Sequence, residues 1–282
     1  MAELPSLTEA SSLCNATALV MSAVAQLPYR EPTVSNIDEY DAEHGGGAIP
    51  DPLLTAQRYT RFYLLGAGDF VFSLGKLLSL EQPMVMSPAV LARSAAEYSS
   101  RCVYVSDPTD SPEMRISKAM NLCRDGFNDH GVGKPDADPE LIELAKGFND
   151  WSSQRSLPKA PLPNYTNLIH QLSPEMGRRE YQRLSGVAHA NAITLSGAVI
   201  SAQLESDHNV DQSWRNALFA SHCGVLAAMS VCLLRDGDLT QVSSCFSAFK
   251  HYELKYNQFV WDRDVERGIT PDWPRPTVPA DD

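Results

Sequence analysis

Apolar residues recur along this chain at helical spacing, and no stretch sustains the period-two alternation of a half-buried strand. Leu7, Leu13, Leu19 and Val20 predict a first helix over residues 6–26, stopped by Pro28. Asp51-Pro52 offers an N-cap followed by proline at the first helical position, opening a helix that runs to about Leu80. Gly66, Gly68 and Gly75 inside it allow another helix to approach closely. Ser87-Pro88, Ser111-Pro112-Glu113 and Asp138-Pro139-Glu140 start three more, which end near Val105, Asn128 and Gln154. Residues 165–172 form one or two turns. Ser173-Pro174-Glu175 opens one long helix reaching Leu204 or Glu205. Trp214 to Leu234 is the most hydrophobic helix, ending at Arg235-Asp236-Gly237, and Asp238 caps a last one carrying Phe246, Phe249, Tyr252, Tyr256 and Phe259. The expected fold is an all-α bundle of about seven or eight helices without significant sheet.

Glu31 to Pro50 breaks the pattern with Pro32, an acidic run and three consecutive glycines. A loop that long, if structureless, is mobile or a linker. The chain therefore divides into an N-terminal helix with a mobile acidic, Gly-rich loop (1–50), a helical bundle (51–265) and a Pro-rich tail (266–282). No apolar run reaches the roughly 18 residues of a membrane span; 218–234 comes closest, interrupted by His222, Cys223 and Ser230.

Charge narrows the partners. The 282 residues carry a net charge of −12, with no basic tract to coat a phosphate backbone. No DNA or membrane partner is expected. The six cysteines form no C-x-x-C pair and match no zinc spacing, so a reducing compartment, a cytoplasmic location and no metal or cofactor are expected. A G-x-S-x-G elbow is absent, and Glu205 to His208 is a lone Glu-x-x-His, which argues against a serine hydrolase and a di-metal bundle.

The stretch with most chemistry is Tyr181 to Asn191, Y-Q-R-L-S-G-V-A-H-A-N. Tyr181, Ser185 and His189 lie four apart, so on a helix they form one stripe. Small residues around them favour a close helix contact, where a histidine is satisfied by Ser185 or a carbonyl. Arg93, Glu97 and Arg101 share another helix face as an ion-paired ladder.

R-L-S-G-V-A-H also resembles the R-x(4–6)-H motif of the HEPN superfamily, all-helical domains that often act as metal-independent endoribonucleases. The resemblance covers about residues 87–234, and the Arg93/Glu97/Arg101 helix is similar to an upstream helix of such proteins. It implies an RNA-cleaving or RNA-binding homodimer in stress or defence. His189 would perform acid–base work at the 2′-hydroxyl and leaving oxygen, and Arg183 would stabilise phosphate charge, with Tyr181, Ser185, Arg93, Glu97 and Arg101 in support. Histidine titrates near neutral pH and a guanidinium matches phosphate oxygens. On one straight helix, however, Arg183 and His189 stand about 120° apart in azimuth. They converge only through a break in the helix or a second subunit. The alternative is a non-catalytic helical interaction or dimerisation module that uses the same motif for packing.

Overall fold

The computed structural model describes residues 6–81, 84, 86–134, 136–204 (backbone alone at 202 and 204) and 208–277. Its elements are α1 (Leu7–Ala25), α2 (Ile37–His44), α3 (Pro52–Leu78), α4 (Ser87–Ser106), α5 (Pro112–Asp129), α6 (Pro139–Ser153), α7 (Tyr165–Leu172), α8 (Gly177–Ala188), α9 (Ala192–Leu204), α10 (His208–Leu234) and α11 (Thr240–Glu266). The chain is all-α. Among the described residues there are eleven helices rather than seven or eight, and only two isolated β-bridges.

The additional helices have local causes. Residues 31–50 are not structureless. Asn36 caps α2, its side chain accepting from the amides of Asp38 (3.0 Å) and Glu39 (3.5 Å). The Asp41 carboxylate on α2 then accepts from the Leu53 and Leu54 amides at 2.7 and 2.9 Å, so α2 caps α3. Asp51, the expected cap, makes no capping bond and pairs with Arg58 instead. The predicted long helix from Ser173 is also two helices: Ser173 terminates α7, α8 begins at Gly177, and the chain breaks again after Ala188. Glu205, where that helix was expected to end, lies outside the described residues, as do tail residues 278–282.

The main core forms where α1, α3, α4 and α10 pack together. The α1 stripe of Ala10, Cys14, Ala18 and Met21 is fully or almost fully buried there. Close approach to α3 depends on Gly75, where an added Cβ would sit 3.0 Å from the Cys14 Cβ and 3.2 Å from the Ser11 carbonyl. α10 is apolar on nearly all sides, from Trp214 through Phe219, Val225 and Val231 to Leu234. By length and composition it could cross a bilayer, with 72% of its most apolar window buried by the other helices. A second core gathers Leu53, Tyr104, Ile116, Met120, Phe148 and Trp151 beside α5 and α6.

A fully buried ion pair ties the segment after α1 to α5. The Arg115 guanidinium reaches Glu31 at 2.9 and 3.4 Å and donates to the Val105 carbonyl at 2.6 Å, while Gln57 donates to the same carboxylate at 3.2 Å. Breaking a buried pair strands a charge. Glu31→Gln is accordingly expected to cost about 3–5 kcal/mol in denaturant-unfolding free energy, whereas Glu31→Met with Arg115→Met costs less than the two single changes summed.

His222 on α10 is stacked on Phe249 of α11 at 4.8 Å, with its Nδ1 3.4 Å from the Ser173 hydroxyl. Burial, and secondarily the Lys250 ammonium, lower its pKa from 6.5 to about 4. Below pH 6.5 the unfolded chain takes up a proton that the folded chain refuses until about pH 4, so stability is lost as pH falls through that window. Across it, wild type is expected to lose about 3 kcal/mol more than His222→Phe, read from urea unfolding at a series of pH values.

Candidate functional site

The Tyr181–Asn191 stretch contains an elbow. α8 ends at His189, its C-cap, and the following Ala190 adopts φ +50°. The Ala190 amide donates to the Val187 carbonyl (3.0 Å) and the Asn191 amide to the Gly186 carbonyl (2.9 Å), the double closure that terminates a helix through a left-handed residue. Alanine occupies the position that glycine usually takes, so the stop is unmarked in the sequence. Asn191 restarts the chain, its side chain accepting from the Ile193 and Thr194 amides at 3.1 and 3.2 Å. The two helix axes differ by 97°. Gly186 permits the tight inner corner, since a Cβ there would lie 2.5 Å from the Thr194 hydroxyl.

The elbow ends α8 at His189 itself. The stripe of Tyr181, Ser185 and His189 runs from core to solvent: Tyr181 is buried, Ser185 half-buried and His189 exposed. The Ser185 carbonyl accepts the His189 amide at 3.0 Å. Arg183 lies on another face of α8, turned toward α10. Its Nε meets Glu180 at 2.8 Å, its Nη1 donates to the Gln212 carbonyl oxygen at 2.9 Å and its Nη2 to that of Asn216 at 2.7 Å. All three guanidinium nitrogens therefore have acceptors from this same chain. Arg183 lines a small cleft of about 180 Å³ with Val187, Thr194, His208 and Arg215, among others; His189 is not part of its lining.

The ladder on α4 contacts Tyr181. Glu97 pairs with Arg93 at 3.1 Å and lies 3.9 Å from Arg101, and it accepts the Tyr181 hydroxyl at 2.7 Å. Arg93 lies over the Tyr181 ring and Arg101 over Tyr165, whose hydroxyl bonds to Asp125. These groups dock α8 and α7 onto α4. On α3 polar side chains are likewise used internally: Arg61 donates to the Ala25 and Leu27 carbonyls, and the Tyr59 hydroxyl meets the Cys123 thiol.

A larger cleft, about 510 Å³, lies between α8, α10 and α11. Its inner wall is a polar network absent from the sequence reading. Glu180, only 4% exposed at its side chain, holds Arg179, Arg183 and Arg215 at 3.2, 2.8 and 2.6 Å. Burial pushes its carboxyl upward, but Arg183 and Arg215 more than offset this and hold it below the usual carboxylate range. Asp211 accepts from the Tyr256 hydroxyl at 2.9 Å and Arg263 at 3.1 Å. Burial, and then Asp211, raise the Tyr256 pKa, keeping it a neutral donor. The available signal was spacing: Glu180 and Arg183 are i, i+3, and Asp211 and Arg215 are i, i+4, at the polar start of an otherwise apolar helix.

Arg183→Ala removes an ion pair and two hydrogen bonds at this wall. Its expected cost is about 2–4 kcal/mol of unfolding free energy, with Arg183→Lys recovering part of it, measured by chemical denaturation. Comparisons of the chain with protein-family models, with curated proteins and with solved structures find no match.

Proposed function

We propose that this chain is a non-catalytic helical interaction module that self-associates, and that Arg183 is a packing residue of its α8–α10 seam. The observation that carries this is the engagement of all three Arg183 guanidinium nitrogens by Glu180, Gln212 and Asn216. An RNA-cleaving, HEPN-like role asks the same guanidinium to face a phosphate beside His189. It would have to leave those partners, and the exposed His189 lies outside the cleft that Arg183 lines.

The interacting surface in this reading is α9. Past the elbow, Ile193 is 85% exposed, and Val199 and Ile200 are more than half exposed. Residues 184–204 contain no Asp, Glu, Lys or Arg. Uncovered apolar surface of this kind favours a protein partner. Charge selects a second copy of the chain. Two molecules at −12 repel over most approaches, and here they meet without opposing like charges. The absence of cations on this helix disfavours RNA or an anionic lipid surface at the same place.

The test pairs association with cleavage. Sedimentation velocity is expected to show a dimer for wild type and a monomer for Ile193→Asp with Ile200→Asp, both with the same thermal melt. Labelled single-stranded RNA in EDTA is expected to stay intact with wild type and with His189→Ala. Cleavage that disappears in His189→Ala would replace this proposal with the ribonuclease reading, and a wild-type monomer would remove the self-association.

A further inference from the structure

The α8–α10–α11 cleft has the size and lining of a small-molecule site. Its volume of about 510 Å³ is that of pockets that enclose small ligands. Met176, Leu218, Phe219 and Val260 supply apolar surface, and Trp273 comes in from the tail. That tail is anchored. The Trp261 indole donates to the Trp273 carbonyl at 3.1 Å, and Arg275 grips Asp262 with two bonds of 2.8 and 2.9 Å. Trp273 is thereby held at the cleft.

Three guanidiniums, Arg179, Arg215 and Arg263, reach this space from three helices. Of the four acids on the lining, Glu175, Glu180, Asp211 and Glu253, the last three are already engaged. Glu180 receives Arg179 and Arg215 on one oxygen and Arg183 on the other. Asp211 receives Tyr256 and Arg263 on one oxygen and Gln212 on the other. Glu253 on the lining holds Lys250 at 2.7 Å. Around Glu180, three cations thus share one carboxylate. Arg215 uses a single nitrogen on it, and the buried Arg263 Nε has no hydrogen-bond acceptor, its neighbour Asp264 lying at 3.7 Å.

We infer that this cleft binds a small organic anion, a carboxylate or phosphate carried on an aromatic body. Arg215 and Arg263 take the anionic group, and Trp273 with the apolar wall takes the ring. Charge-assisted bonds to guanidinium are the strong kind in a partly desolvated site. Binding here is separate from association through α9. Its failure shows in ligand titration, whereas the failure of the module reading shows in RNA cleavage and oligomeric state.

The experiment titrates the full chain with phenylacetate and with phenyl phosphate by calorimetry and by tryptophan fluorescence, with benzyl alcohol and inorganic phosphate as controls. The expected result is saturable 1:1 binding of at least one aromatic anion. Which of the two binds identifies the anionic group, and each control binds at least about tenfold more weakly. Arg215→Lys and Arg263→Lys, which keep the charge but lose the planar fork, are each expected to weaken binding about tenfold in folded protein. Trp273→Phe should keep calorimetric binding while abolishing most of the fluorescence change. Absence of saturation by either anion in the millimolar range overturns the inference. So does equal binding of benzyl alcohol, or affinity unchanged in both lysine variants.

Discussion

Glu31 and Arg115 face each other with neither side chain exposed to solvent. An isolated charge in that position would be too costly to keep, so each makes the other obligatory. The pair draws in the Gln57 amide and the Val105 carbonyl, and it thereby fixes the segment after α1 against α3, the end of α4 and the start of α5. α2 follows from that segment, and the N-terminal cap of α3 follows from Asp41 on α2. The contact between the N-terminal region and the second core therefore combines this ion pair with the Tyr40–Glu113 hydrogen bond and the packing of Val34, Ile37, Tyr40 and Ile49.

The same use of arginine recurs through the molecule. Arg235, buried at the end of α10, donates to the Ala25, Leu27 and Gln57 carbonyls, where a cation suits the negative end of α1. Burial, reinforced by Arg61, lowers its pKa to about 10, which still leaves it charged at neutral pH. Arg155 holds the His44 and Gly45 carbonyls behind α2. Many of the cations in this acidic protein thus turn inward to close helix ends and seams. Arg183 belongs to that group by its contacts. The cleft that Arg215 and Arg263 line differs because its guanidiniums border open space rather than a closed seam.

The helical class and most helix starts were legible because they rest on local chemistry: Ser111, Asp138 and the apolar stripes act within a few residues of themselves. The elbow at residue 190 was not, because alanine carries no sign of a left-handed conformation, and the nearby clue, Asn191, sits inside an otherwise continuous helical pattern. α2 was hidden by its acidic, polar composition and is held by partners distant in sequence. For the site, spacing defines the Tyr181–Ser185–His189 stripe and the Arg93–Glu97–Arg101 ladder as two separate helix faces, and only the fold joins them, through the Tyr181 hydroxyl on Glu97. It could not place Arg183, since its partners Gln212 and Asn216 lie across a seam set by the fold.

The claim that Arg183 belongs to the scaffold is tested most directly by its own side-chain signal. In a nitrogen-15 NMR spectrum at neutral pH, assigned by its loss in Arg183→Lys, the Arg183 Nε–H is expected to be sharp and shifted, and to exchange slowly with water. Adding RNA should leave it unmoved. A signal in rapid exchange with solvent, or one that shifts saturably with RNA, would contradict the account and return Arg183 to a binding surface.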